Sequence, residues 1–227
     1  MIRVTENFRK IQDLLASACI AADREPDSVR LLAVSKKKPA SDILALAEAG
    51  QRDFGENFVQ EGLDKIAEIR RDDLIWHMIG HLQSNKTRDV AEHFDWVHTI
   101  DRAKIARRLS DQRPHYAKDL NVCIQVNVDN EPGKSGVSTA DIPSLAEEIA
   151  GLPRLKLRGL MCLPAMREDP SEQRKPFAEL RESLESLRDA GLELDTLSMG
   201  MTADYAAAIQ EGATIVRIGT ALFGART

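Results

Sequence analysis

The sequence predicts an α/β protein: a single-domain (β/α)8 barrel of the TIM class with an extra helix at its N-terminus. Three observations predict it. Short apolar runs of strand length recur eight times along the 227 residues, helical periodicities fill the intervals, and a spare amphipathic segment precedes the first run. Repeated strand–helix alternation implies a parallel sheet with helices outside it, and eight repeats favour closure over an open doubly wound sheet.

The N-terminal segment Thr5–Asp23 sets Phe8, Ile11, Leu15 and Ala18 or Cys19 on one helical face. The first run, Leu31–Ser35, is apolar without alternation, as suits a parallel strand covered on both sides. Ser41–Ala49 carries Ile43, Leu44, Leu46 and Ala47 at helical spacing and stops at Gly50. Further strands are expected at Asp53–Glu56, Ile75–Gly80, Trp96–Thr99, Val122–Val128, Leu157–Cys162, Thr196–Met199 and Ile215–Ile218. The helices between them are expected at Phe58–Ile69, Lys86–Glu92, Arg102–Ala117, Thr139–Ala150, Pro176–Ala190 and Ala203–Gln210. With only the short tail Gly224-Ala225-Arg226-Thr227 counted beyond the last strand, no eighth helix is expected there. The N-terminal helix should therefore cover the wall beside strands eight and one. Nothing reads as an interdomain linker, so residues 1–227 are expected to form one domain, with 129–139 and 167–176 as loops above the barrel mouth.

Composition narrows the function classes. Hydrophobic residues make up 43% and charged residues 30%, ordinary for a globular protein and unlike a disordered or fibrous chain. The formal net charge is −5, and Lys36-Lys37-Lys38 is the sole basic cluster, which argues against nucleic-acid binding. Cys19, Cys123 and Cys162 are too scattered for a disulfide framework or a zinc site and read as buried thiols. The first residues lack the apolar core of a secretory signal, and no run approaches the ~20 apolar residues of a bilayer span. A cytoplasmic protein without membrane contact, acting as a monomer, is the expectation.

In a barrel of this kind function belongs at the C-terminal strand ends. Strands seven and eight end in Ser198-Met199-Gly200-Met201-Thr202 and Arg217-Ile218-Gly219-Thr220, turns rich in glycine and hydroxyls that suit a phosphate. If Val34 points into the barrel, period-two alternation brings Lys36 to the mouth, where desolvation makes a neutral amine available for imine formation. The competing reading is a surface lysine, as Lys37 and Lys38 are expected to be. Arg217 interrupts a buried-looking strand and needs a partner, either a structural ion pair or a ligand. An amine, a phosphate cradle and an interior arginine together suggest pyridoxal 5′-phosphate. His77 and His81, four apart on a strand, read as structural or hydrogen-bonding residues rather than metal ligands. The loop Glu131-Pro132-Gly133-Lys134-Ser135-Gly136 lacks the spacing of a nucleotide phosphate loop.

These residues also carry a family resemblance. Ala33-Val34-Ser35-Lys36, Phe54-Gly55-Glu56-Asn57, Trp76-His77-Met78-Ile79-Gly80-His81-Leu82-Gln83-Ser84-Asn85-Lys86 and Gln125-Val126-Asn127 resemble the pyridoxal phosphate homeostasis protein family. Gly159-Leu160-Met161, Leu197-Ser198-Met199-Gly200-Met201-Thr202 and Val216-Arg217-Ile218-Gly219-Thr220 with Phe223-Gly224 continue the match across nearly the whole chain. Met78 and Thr202 are mild variations. The resemblance implies a barrel related to the fold III pyridoxal phosphate enzymes, with the cofactor held as an imine (Schiff base) on Lys36. It further implies that Ser198, Gly200, Gly219 and Thr220 hold the phosphate, that Arg217 faces the pyridine nitrogen, and that Asn57, His77, Met161 and Met199 are neighbours.

The function so implied is homeostasis of the cofactor, by buffering it or delivering it to cofactor-free pyridoxal phosphate enzymes, without an established turnover reaction. The alternative is a fold III amino-acid racemase or decarboxylase. An always-charged Arg217 would leave the pyridine nitrogen unprotonated and weaken the ring as an electron sink. The related enzymes add a second domain and a tyrosine base, whereas the tyrosines here are Tyr116 and Tyr205, of which only Tyr205 is expected near the mouth. A Schiff-base aldolase would leave Arg217 unexplained.

Overall fold

Strands apolar on both faces need cover on both faces, and the chain supplies it by closing the sheet and wrapping it in helices. The computed structural model describes residues 2–224. Strands β1 (Arg30–Val34), β2 (Asp53–Glu56), β3 (Ile75–Met78), β4 (Trp96–Ile100), β5 (Leu120–Val126), β6 (Leu155–Cys162), β7 (Thr196–Ser198) and β8 (Ile215–Ile218) form a closed parallel barrel in chain order. The predicted (β/α)8 architecture is therefore observed, and the open sheet is excluded. In the closing seam Leu32 lies level with Arg217 and Ala33 with Ile218.

The helices are α1 (Ile2–Ala21), α2 (Ala40–Glu48), α3 (Val59–Ile69), α4 (Thr87–His93), α5 (Ala103–Gln112), α6 (Ile142–Ala150), α7 (Pro170–Asp189), α8 (Tyr205–Gln210) and α9 (Thr220–Phe223). Most expected elements agree to within a few residues. Helix α5 stops well short of Ala117, because the residue before Pro114 is driven out of helical geometry and takes ψ 124°. Arg113 then donates to the carbonyls of Ala91, Phe94 and Lys118, closing that corner. Helix α7 begins at Pro170 rather than Pro176: the Asp169 carboxylate caps it by accepting from the Ser171 N–H at 2.8 Å, and Pro176 lies inside the helix. The expectation of no helix after β8 is corrected by the single turn α9, which starts at Thr220. Helix α1 packs against α2, α8 and α9, covering the wall beside β8 and β1. Asn7 of α1 donates to the Leu222 carbonyl at 2.9 Å, and Phe8 is buried.

Two apolar layers result. The larger lies between strands and helices. The smaller fills the barrel with Leu32, Ile79, Trp96, Cys123, Met161 and Ile215, with Val34 packed on it. Cys19, Cys123 and Cys162 are buried and unbridged, and burial pushes the Cys123 and Cys162 thiols up to about 12. Among the described residues no cluster suits a metal ion, and no helix is long and apolar enough to cross a membrane.

One close approach sets the β6–β7 seam. A Cβ on Gly159 would stand 1.9 Å from the Thr196 carbonyl oxygen, the residue with which Gly159 is in register. Gly159→Ala should therefore cost roughly 1–3 kcal/mol or more in urea unfolding. Gly151→Ala, where the nearest such atom is 3.7 Å away, should be close to neutral. Equal stability of the two variants would contradict this packing.

Candidate functional site

The C-terminal strand ends surround a cavity of about 320 Å³. Lys36 enters it from the end of β1 and Arg217 from β8. Gly219 and Thr220 line it after β8, and Asn57 lines it after β2, the neighbour of β1 on the other side. The inward set of β1 is Leu32 and Val34, so alternation carries Lys36 to the mouth, where it is half-buried. A hollow of about 480 Å³ at the opposite end, around Arg30, Trp96 and Arg158, contains no lysine.

The backbone on both sides of Lys36 is pinned. The Ser35 hydroxyl donates to Glu56 at 2.6 Å, and the Ser35 carbonyl accepts from Lys65 Nζ at 2.8 Å. Lys65 also pairs with Glu56 at 2.8 Å and Glu61 at 2.7 Å, so this buried lysine is fully committed. The Lys37 N–H donates to Glu61, with Lys37 held at φ 58°. Burial raises the Glu56 carboxyl above its ordinary range, against the lowering effect of Lys65 and Ser35. Lys38 Nζ donates to the Phe223 and Gly224 carbonyls at 3.3 Å, which ties this turn to α9.

Arg217 is buried. Its Nη1 donates to Ser198 Oγ at 2.7 Å and its Nη2 to the Cys162 carbonyl at 2.7 Å. Among the described residues it has no carboxylate at ion-pair distance, so the structural ion pair that was one reading of Arg217 is absent. Burial presses its pKa down, with Cys162, Asp204 and Cys123 opposing.

Of the residues expected at a site, Lys36, Asn57, Arg217, Gly219 and Thr220 meet at the cavity. Ser198 and His77 lie beneath it, fully buried, with their polar atoms engaged. Met161 belongs to the barrel interior and Met199 to the outer apolar layer. Gly200, at φ 92°, leaves no room for a side chain, since a Cβ would stand 2.7 Å from that of Ala208. Its carbonyl accepts from the Arg217 N–H at 3.0 Å. Tyr205 packs on the outer apolar layer and Tyr116 is 93% exposed, so neither lines the cavity.

Sequence reasoning missed His98 and Asp53. His98 Nδ1 meets Ser198 Oγ at 2.8 Å, and its Nε2 meets His77 Nδ1 at 2.9 Å. His77 Nε2 meets Asp53 Oδ1 at 3.0 Å, and the His77 ring stacks on Trp96 at 5.4 Å. The available signal was a polar residue at an inward position of each of three successive strands.

The residues fit a phosphorylated aldehyde. Asn57 Oδ1 is buried at the cavity without a partner, and Gly219 keeps its wall thin, since a Cβ would stand 3.3 Å from that of Val34. The donor set pairs an amine with a guanidinium and a hydroxyl-bearing turn.

A barrel with a lysine at the end of β1 and an arginine at the end of β8 defines the class. The alanine racemase N-terminal domain family matches residues 3–227. The pyridoxal phosphate homeostasis protein of Pseudomonas aeruginosa is 55% identical over 226 residues, covering 100% of this chain and 97% of that protein. The protein of the same name from Escherichia coli K12 is 50% identical over 226 residues, covering 98% and 97%. The chain belongs to the pyridoxal phosphate homeostasis protein family. The structure of PipY from Synechococcus elongatus with PLP bound superposes with a TM-score of 0.85 at 37% identity, covering 97% of this chain and 100% of that one. Alanine racemase from Corynebacterium glutamicum shares the fold, with a TM-score of 0.75 at 16% identity, and this chain spans 62% of it.

Burial lowers the pKa of both His77 and His98, His98 well below its ordinary value. Both are therefore neutral when folded and must gain protons on unfolding below about pH 6.5. Their stability contribution is full above that pH and is lost as pH falls through it, by up to about 1.4 kcal/mol per unit for each histidine. Glu56 acts with the opposite sign in its own range. Urea unfolding from pH 7.5 to 5.5 should show stability declining, with a shallower decline in His98→Asn. A flat profile would contradict neutral buried histidines.

Proposed function

We propose that this chain is a pyridoxal 5′-phosphate-binding protein that buffers the cofactor and delivers it to cofactor-free enzymes in the cytoplasm. It does so as a monomer, with residues 1–227 as one binding domain. The observation that carries this reading is the entry of Lys36 and Arg217 into one cavity from neighbouring strands, with the Gly219–Thr220 turn after β8 lining it. Relatives at half identity bear the name pyridoxal phosphate homeostasis protein, and the cyanobacterial relative holds PLP.

When bound, the cofactor supplies an aldehyde carbon that bonds reversibly to amines. Lys36 provides that amine, held at a fixed height by the ties on Ser35 and Lys37. Gly219 and Thr220 offer backbone and hydroxyl donors to the phosphate, with Gly200 and Ser198 shaping the floor behind them. Arg217 would face the ring nitrogen, and Asn57, whose buried carbonyl oxygen lacks a partner among the described residues, would be a neighbour of the ring. His77 and Met161 lie beneath these residues inside the barrel, and Met199 backs the end of β7 from the outer apolar layer. A donor-only guanidinium keeps the ring nitrogen unprotonated, which favours holding the cofactor over carbanion chemistry. No tyrosine at the cavity is placed as a second base.

Lys36→Ala should abolish the imine absorbance of the lysine-bound cofactor while leaving the fold intact by circular dichroism. Pyridoxal, lacking the phosphate, should bind far more weakly, since charge-assisted bonds outweigh neutral ones. Equal affinity for the two aldehydes would contradict the assigned phosphate end.

The amine bond is reversible and the mouth is open to solvent, so the cargo should be transferable. Loaded protein mixed with a cofactor-free pyridoxal phosphate enzyme should restore that enzyme's activity. If the acceptor stays inactive through a long incubation, the protein is a sealed reservoir rather than a donor.

A further inference from the structure

The barrel interior contains a line of polar side chains that runs from Arg217 to two residues the cofactor reading does not use, His98 and Asp53. Asp53 of β2, His77 of β3, His98 of β4, Ser198 of β7 and Arg217 of β8 touch in that order, at 3.0, 2.9, 2.8 and 2.7 Å. The line crosses the barrel from one wall to the other. Around it the filling is apolar: Leu32, Trp96, Cys123, Met161 and Ile215. His77, His98 and Ser198 are fully buried, so no solvent competes for their hydrogen bonds.

The two ends fix the direction of every bond between them. A guanidinium can only donate, so Ser198 Oγ accepts from Arg217, and the one acceptor that its recorded hydrogen bonds offer its own hydrogen is His98 Nδ1. A neutral His98 then carries its proton on Nε2 and donates to His77 Nδ1. His77 in turn carries its proton on Nε2 and donates to Asp53, whose carboxylate only accepts. Arg30 Nη1 donates to the same oxygen of Asp53, Oδ1, at 3.3 Å. Every group in the line is satisfied in this one arrangement.

We propose that Asp53, His77, His98 and Ser198 are positioning residues for Arg217, forming a one-way hydrogen-bond chain in which both histidines are neutral and protonated on Nε2. The chain answers the buried guanidinium in place of an adjacent carboxylate. It fixes the plane of the arginine fork, and so the edge that Arg217 offers to the cavity. The consequence for a ligand rests on the pyridoxal phosphate reading; the direction of the chain does not. Asp53 does not line the cavity, so any effect it has on bound cofactor must travel through the line.

Nitrogen-15 NMR of histidine-labelled, cofactor-free protein at pH 7.5 reads each ring nitrogen, with His77→Asn and His98→Asn assigning the signals. Both Nε2 atoms should be protonated and both Nδ1 atoms bare. A doubly protonated ring, or a proton on either Nδ1, would overturn the chain. In the second arm, Asp53→Asn and Ser198→Ala are titrated with pyridoxal 5′-phosphate. Each folded variant should lose between about twofold and thirtyfold in affinity, with a shifted absorbance maximum of the lysine-bound cofactor. Unchanged affinity and spectrum would overturn the positioning role. If the unsubstituted protein took up no cofactor, the functional reading would fail while the NMR result still decided the chain.

Discussion

A guanidinium buried without a neighbouring carboxylate is costly, and the interior of this barrel is arranged around that constraint. Arg217 sits on the inward face of β8, level with Leu32 across the closing seam. Its charge is answered by the Cys162 carbonyl on β6 and by Ser198 on β7. Three strands therefore fix one side chain, and the closure of the sheet is what brings them within reach. In an open sheet β8 would have no β1 beside it, and Lys36 and Arg217 would not share a cavity.

Lys36 is placed by different means. The strand itself ends at Val34, and beyond it the turn is held by the buried Glu56–Lys65–Glu61 cluster under the barrel rim. Truncating one member of such a cluster leaves a buried charge uncompensated. The two halves of the site are thus independent devices, a carboxylate–lysine clamp outside the barrel and a hydrogen-bonded arginine within it. They meet at the cavity because β8 and β1 are neighbours, and the α9 turn after β8 adds Gly219 and Thr220 to the same edge.

Much of this was legible in the sequence for physical reasons. Doubly covered strands leave continuous apolar runs, so Leu31–Val34 and Val122–Val126 announced themselves, and alternation from Val34 forecast where Lys36 stands. An arginine inside Ile215–Ile218 signalled a buried charge in need of partners. Two helix boundaries were misplaced because proline has two meanings: Pro176 looked like a helix start, while the Asp169 cap supplies the real one. The α9 turn is too short to leave a periodic pattern. The interior line was missed for another reason. Asp53, His77 and His98 lie on three successive strands, and one-dimensional spacing cannot show that barrel closure brings them to Ser198 from the far side. His98, lone and polar among Trp96, Val97 and Ile100, carried no motif at all.

The central claim is that one cavity joins Lys36 to the cofactor in sight of Arg217. Borohydride reduction of protein loaded with pyridoxal 5′-phosphate, followed by peptide mapping, tests it most directly. The account predicts the reduced pyridoxyl group on the peptide containing Lys36, at close to one group per chain. A label found mainly on Lys65, Lys134 or another lysine would contradict it.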